Sequence, residues 1–476
     1  MKFLSQKKLI PILILLLFLC FYNYLFPSPS SPNLIIISID SLRPDHMSLY
    51  GYTKNTTPHI DSFAHNATIF TNTRTIVPMT YPSFTSLMTG KDPFVTRISR
   101  NYGDLISDNN FTIATILKQN GYNTAAFTTG GLSGPSTNLD HGFSQFSFFP
   151  YKYHEENNGK TLYKQTNRKE YEQFLENSIN WLRENNKQKF FFWVHLMDPH
   201  APYAPPDNYK CAFNNAYCQT TLNQTEGDLE LQRSEFQSCQ KNPLSKDKIE
   251  LQETLYDGGI AYTDSLVNNF IQTITEEKLD KNSIIVILSD HGEGFDHNYY
   301  FDHRAVLYES ALKIPLIIKT PSQKKGAKSD QLIQNNDIFR TLLDLLNAKY
   351  PQNMSTAVSF ESALTSGFNP FAPKRQVAYF TNHNFTKFAV LDNEYKYIYS
   401  LNQSCLLNGQ TEELYNIQSD SQEMANLVLS DPNRAKKLKN KLLDYLSLYN
   451  LPLVPNNSSL MPTNSQDLKY VDQLPY

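Results

Sequence analysis

Residues 33–40 read NLIIISID and residues 283–290 read SIIVILSD. Each is a short, nearly unbroken apolar run that closes on an aspartate, and a strand covered on both faces reads this way. A third run, KFFFWVH, occupies residues 189–195. Amphipathic stretches with helical spacing lie at residues 110–122, 171–184 and 251–274. Strands alternating with helices predict an α/β fold, with a doubly wound, mainly parallel sheet flanked by helices. From residue 373 the texture changes. Strand-like FAVLDNEYKYIY at 388–399 and a charged helical stretch at 431–446 predict a small C-terminal α+β subdomain over 373–448.

Outward from that core, Lys2, Lys7 and Lys8 precede an apolar run over residues 9–26, in which Asn23 is the only strongly polar residue. The run is just long enough to cross a bilayer. Its basic flank predicts residues 1–8 as a cytoplasmic stub and the remaining chain as periplasmic or extracellular. A cleavable signal peptide is the competing interpretation, but no small-x-small site follows the run, so a single-pass N-terminal anchor in the membrane is expected. Cys20 resembles a lipoprotein cysteine only loosely, since no small residue precedes it. Residues 27–32 form a Pro/Ser linker, and residues 449–476, rich in Pro, Asn and Ser, form a loose tail. Outside the membrane, Cys211, Cys218, Cys239 and Cys405 are free to form disulfides. A local Cys211–Cys218 staple within the polar stretch 206–248 is favoured over a metal site, because no histidine lies nearby. With 43 basic and 46 acidic residues, the formal net charge of -3 offers no field for nucleic acid, so any charge-based function is local.

In an open parallel sheet, ligands gather outside the carboxyl ends of the strands. Asp40, Asp290 and His291 therefore converge if their strands are neighbours. Two carboxylates and an imidazole suit a divalent cation, which also offsets the repulsion between the acids. Taken singly, each aspartate reads as an ordinary cap. A further motif is VPMTYPSFTSLMTG, residues 77–90. Proline at a first helical position and glycine just past the end predict a short helix beginning at Thr80. Its hydroxyl then lies at the positive end of the helix dipole, with free N–H groups for an anion. A nearby metal would lower the hydroxyl pKa for attack on phosphorus or sulfur. Alone, Thr80 reads as a helix cap.

Together these segments resemble the sulfatase-like branch of the alkaline-phosphatase superfamily, in order from residue 33 to about residue 446. SIDSLRPDHMSLYGY followed by TPHIDSFA is similar to the branch's opening metal segment. HLMDPHAPYAPP resembles the segment that supplies a substrate histidine, here His200. SDHGEGFDHNYYFDHRAVLYESALKIPLII resembles the second metal segment and carries the pocket residue His303. YKYIYS and ELYNIQSDSQEMANL are similar to its C-terminal subdomain. The resemblance implies a catalytic domain over 33–372 and one divalent metal ion held by Asp40, Asp290 and His291, with Thr80 as nucleophile and fourth ligand. Manganese, zinc and calcium all suit such a set, and His291 favours the first two. His200 and His303 are implied to bind nonbridging oxygens or to protonate the leaving group. Lys91 is implied to steady the nucleophile or its adduct, while His195 and Asp198 are read as supporting structure.

The chain also departs from that pattern. Most sulfatases carry Cys/Ser-x-Pro-x-Arg, whose first residue is oxidised to formylglycine, and the hydrated gem-diol can expel sulfate. Here the motif is Thr80-Tyr81-Pro82-Ser83-Phe84, and Ser41 stands where many sulfatases have a second aspartate. The expectation is therefore a metal-dependent hydrolase or transferase of phosphate-type esters. As in the phosphodiesterase and phosphotransferase branches, Thr80 would form a phospho-enzyme that passes its group to water or an alcohol. A sulfuric ester hydrolase working without formylglycine is the second reading, and a degenerate membrane-anchored binding protein the third. Phosphate or sulfate esters of a lipid or glycan head group are the substrate classes expected.

Overall fold

Strand β1 (Asn33–Ile39) is buried along its whole length because helices cover both sides of it. Leu34 and Ile36 belong to one apolar cluster and Ile35, Ile37 and Ile39 to another, as the two-residue period of a strand requires. The computed structural model describes residues 31–451, apart from 102–103, 108–110, 131–136, 151, 158–159, 166, 216–243, 298, 322, 352–354, 366–372 and 403–409. The stub at 1–8, the anchor at 9–26, linker residues 27–30 and the tail beyond 451 lie outside the described residues, as do Cys20, Cys218, Cys239 and Cys405. Among the described residues, no helix is long and apolar enough to cross a membrane. Cys211 is disulfide-bonded.

The central sheet adds β2 (Thr68–Phe70), β3 (Asn123–Thr129), β4 (Gln145–Phe149), β5 (Phe190–Leu196), β6 (Ser283–Ser289), β7 (Leu316–Lys319) and β8 (Ala327–Ser329). Their order is β8-β2-β7-β6-β1-β5-β3-β4. Strand β1 pairs in parallel with β5 and β6, and β3 continues in parallel with β5 and β4. Only β7 runs against its neighbours β6 and β2, so the sheet is mainly parallel. On one face pack α1 (Pro58–Ala64), α4 (Arg168–Glu184) and α5 (Lys246–Glu276). On the other pack α2 (Thr80–Thr89), α3 (Ile113–Gln119) and α6 (Asn335–Leu345). This is the doubly wound α/β architecture expected from the alternation of apolar runs and amphipathic stretches.

The C-terminal subdomain is a four-stranded antiparallel sheet of β9 (Val377–Thr381), β10 (Lys387–Asp392), β11 (Tyr395–Ser400) and β12 (Glu412–Asn416), in that order. The stretch at 388–399 is not one strand but a hairpin, turned at Asn393, whose φ of 55° is a left-handed conformation that Asn tolerates. Helix α7 (Pro432–Ser447) covers one face of this sheet with Ala435, Leu438, Leu442 and Leu446. The other face packs Ala378, Phe380, Ala389 and Leu391 on Leu307, Ala311 and Leu312 of the main domain. At that seam Glu309 accepts from Arg74 Nη2 at 2.7 Å and from Lys396 Nζ at 3.0 Å, and Lys396 also pairs with Glu423 at 2.6 Å. Removing one member would strand a buried charge, so the network ties subdomain to domain whatever its net contribution to stability.

Candidate active site

The register of the central strands builds the site. Ile39 of β1 lies opposite Ser289 of β6, so the next residues, Asp40 and Asp290, emerge side by side at the carboxyl ends. Ser38 of β1 lies opposite His195 of β5, which brings a third polar side chain to the same place from the other neighbour. Asp40, His195 and His291 are fully buried, and Asp290 is 1% exposed. Ligand atoms of Asp40, His195 and Asp290 all lie within 4.8 Å of one another.

Ser41 bridges the acids. Its N–H donates to Asp290 Oδ1 at 3.1 Å and its hydroxyl to Asp40 Oδ1 at 2.7 Å. His291 Nδ1 donates to the Gly292 carbonyl at 2.8 Å, which leaves Nε2 as a lone pair in the neutral ring. That nitrogen is 3.3 Å from Asp290 Oδ2 and 3.9 Å from Asp40 Oδ1. Thr80 completes the group, its Oγ1 at 3.3 Å from His291 Nε2 and 3.4 Å from Asp40 Oδ2.

Helix α2 is positioned from below. Ser83 Oγ donates to the Asp290 carbonyl at 2.7 Å, and Asn335 Nδ2 of α6 donates to Ser83 Oγ at 2.9 Å. Thr80 is the first helical residue, after an N-cap at Met79, so Pro82 falls third rather than first. The expected row of free amides is also absent. The Tyr81 N–H donates to Asn101 Oδ1 at 3.1 Å, Pro82 has none, and the Ser83 N–H bonds the Met79 carbonyl. The positive end of the dipole remains beneath Thr80, but most of the first-turn donors are spent.

His303 stacks on His291 with ring centres 3.8 Å apart, and His200 meets His303 edge-on at 5.9 Å. His303 Nδ1 donates to the Pro78 carbonyl at 2.6 Å, which aims the ring at the mouth of α2. Lys91 does not join them. It follows the far end of α2, about 15 Å from Thr80 at 1.5 Å per residue, beyond the reach of its side chain. Asp198 lies away from the cluster, bonded by the Tyr171 hydroxyl at 2.8 Å. Phe84, one turn after Thr80, packs edge-on to His195 at 4.8 Å and Trp193 at 4.9 Å. A cavity of about 580 Å³ at the seam, lined by Arg43, Arg74, Asp296, His297, Glu309 and Glu423, does not include Thr80 and lies apart from this chemistry.

The electrostatics suit a cation. Burial alone would raise the Asp40 pKa, yet His200, His195 and His291 hold it well below the carboxylate range. Burial and then the charge of Asp40 push Asp290 upward, and its Oδ2 has no hydrogen-bond partner. Burial opposes charging of His291, but Asp290 and Asp40 raise its pKa. Burial, followed by His291, pushes His303 well below its ordinary value. An orphaned carboxylate oxygen, a lone pair on His291 and two repelling acids fit a divalent cation, which would relieve all three at once.

With this geometry in hand, two family models match. The one described as Sulfatase matches residues 32–348, and N-sulphoglucosamine sulphohydrolase, C-terminal, matches 296–449. The chain belongs to the sulfatase family. An ulvan-active sulfatase of Formosa agariphila is 26% identical over 347 residues, which are 68% of this chain and 64% of that protein. A structure solved with its substrate D-glucosamine-2-N,6-O-disulfate superposes with a TM-score of 0.68 at 20% identity, covering 89% of this chain and 99% of that one. A phosphonate monoester hydrolase of Agrobacterium radiobacter superposes with a TM-score of 0.68 at 18% identity, over 88% and 96%. The fold of this sulfatase-family hydrolase is thus shared with proteins named for either ester class. His195, read from sequence as support, lies in the same buried cluster as Asp40 and Asp290. Its signal was a lone titratable side chain inside an otherwise apolar buried strand.

Proposed function

We propose that the protein hydrolyses or transfers phosphate-type esters, with Thr80 as nucleophile. The observation that carries this is the Thr80 hydroxyl within hydrogen-bond reach of His291 and Asp40, in a chain whose motif cannot yield formylglycine. A divalent cation held by Asp40, Asp290 and His291 would supply charge stabilisation and lower the pKa of the attacking hydroxyl. Thr80 Oγ1 forms the new bond to phosphorus as the bond to the leaving oxygen breaks. Its proton passes to the carboxylate side of the cluster. His303, kept neutral, is stacked on His291 with its N–H spent on the Pro78 carbonyl, which leaves the proton for the leaving oxygen to His200. Water or an acceptor alcohol then attacks the phospho-threonine and frees Thr80. A plain threonine adduct lacks the second hydroxyl by which a gem-diol expels sulfate, so the same route suits phosphorus better than sulfur.

A second reading, sulfate ester hydrolysis without formylglycine, is favoured by the names of the relatives. In either case the basic flank and apolar run over residues 9–26 support a site outside the cytoplasm. Rates on a bis-aryl phosphate, an aryl phosphonate and an aryl sulfate, measured on one preparation, separate the two. We expect the phosphorus esters to turn over at least tenfold faster, with Thr80→Ala abolishing turnover while metal stays bound. Turnover of the aryl sulfate alone would give the answer to the second reading, and an active Thr80→Ala would remove the nucleophile from both.

A further inference from the structure

The imidazole of His195 is buried without exposure at the carboxyl end of β5, and its Nε2 has no hydrogen-bond partner. A buried polar atom left unsatisfied is destabilising, so an orphan at zero exposure calls for an occupant. Its surroundings define what that occupant is. Nε2 stands 3.4 Å from Asp40 Oδ2, and the equally orphaned Asp290 Oδ2 belongs to the same cluster.

The other ring nitrogen sets the tautomer. His195 Nδ1 is 3.0 Å from Ser38 Oγ. That hydroxyl accepts from Trp193 Nε1 at 2.9 Å and lies 3.2 Å from the Val194 carbonyl, to which it can donate its single proton. With the proton directed there, Ser38 Oγ can accept from Nδ1–H, the tautomer in which Nε2 is a lone pair available to an ion. Phe84 closes the flank with an apolar ring edge and brings no competing donor. Metal-bound histidines are held in just this manner, one nitrogen fixed by a neighbour and the other facing the ion.

We propose that His195 Nε2 is a metal ligand, so that the cation is held by two imidazoles, His195 and His291, together with the Asp40 and Asp290 carboxylates. This rests on the metal-dependent reading above and sharpens it. Calcium takes oxygen ligands, whereas paired imidazoles suit zinc or manganese, so the donor set selects a transition metal.

Pulsed EPR of the full-length protein loaded with Mn²⁺ counts coordinated nitrogens and needs no turnover. Two nitrogens are expected in the wild type and one in His195→Phe, which keeps ring volume beside Phe84. Zn²⁺ binding to His195→Phe should weaken by at least tenfold and Ca²⁺ binding should change little. Ser38→Ala, which keeps the ring but loosens its tautomer, should weaken Zn²⁺ by about tenfold. One nitrogen in the wild type, or Zn²⁺ constants unchanged in His195→Phe, would overturn the proposal. If His195→Phe does not fold, the wild-type nitrogen count and Ser38→Ala decide. An inactive protein with two coordinated nitrogens would instead sink the ester reading and leave the ligand assignment standing.

Discussion

At Ser41 the backbone takes a φ of 57°, a left-handed conformation that costs a non-glycine residue about 1 kcal/mol. The strain has a use. It turns the N–H toward Asp290 and the hydroxyl toward Asp40, while the carbonyl accepts from the Tyr256 hydroxyl at 2.6 Å. Where many sulfatases have a second acid, this chain has a donor that holds two acids in register. A hydrogen bond to a carboxylate is worth about 1.5–3 kcal/mol. Ser41→Ala is therefore expected to lower kcat/KM by about tenfold or more, with a parallel rise in the metal dissociation constant. Ser41→Gly, which relieves the strain but also lacks the hydroxyl, should restore neither. Rates within twofold of wild type in Ser41→Ala would show the hydroxyl to be idle.

Helix α2 carries the nucleophile at one end and a constrained glycine at the other. Gly90 has a φ of 67°, and a Cβ built there would meet Phe339 Cδ1 of α6 at 2.5 Å. Only glycine gives both the left-handed turn and the close approach that seats α2 against α6. Gly90→Ala combines overpacking with backbone strain, and a loss of about 2 kcal/mol or more is expected. The urea midpoint should fall accordingly. Because α2 is a single rigid element, kcat should fall too, although Gly90 touches no part of the site. An unchanged kcat with a lowered midpoint would mean that Thr80 is held by Ser83 and Asn335 alone.

Over the whole molecule, the C-terminal sheet meets the catalytic loops through His383, whose N–H donates to the Arg304 carbonyl at 3.2 Å, next to His303. Burial, then the Arg304 charge, holds the His383 pKa down to about 4. In the unfolded chain it titrates near 6.5. The folded state therefore refuses a proton that the unfolded state accepts between these values. Stability from this residue is complete above about pH 6.5 and is lost as the pH falls toward 4. About 2 kcal/mol is at stake, allowing for partial exposure. The Tm of wild type minus that of His383→Gln should decline across this window and stay level above it. A difference independent of pH would place the titration elsewhere.

The sequence alone determined the layered α/β class and the two aspartates at strand ends, because a strand buried on both faces must be continuously apolar and any acid that follows it is conspicuous. It also exposed the motif of Thr80, since proline marks where a short helix starts and glycine where it stops. What it could not determine was which faces and ends meet. A strand apolar on every residue carries no alternation from which to read direction, so His195 gave no sign of pointing at Asp40 until the register of β5 against β1 was known. Nor does proximity along the chain mean proximity in space. Lys91, eleven residues from Thr80, is carried out of the site by the length of α2, while Asp290, two hundred and ten residues away, is brought beside Asp40 by one pair of hydrogen-bonded strands. The constellation is a property of the sheet register, and only the folded chain has one.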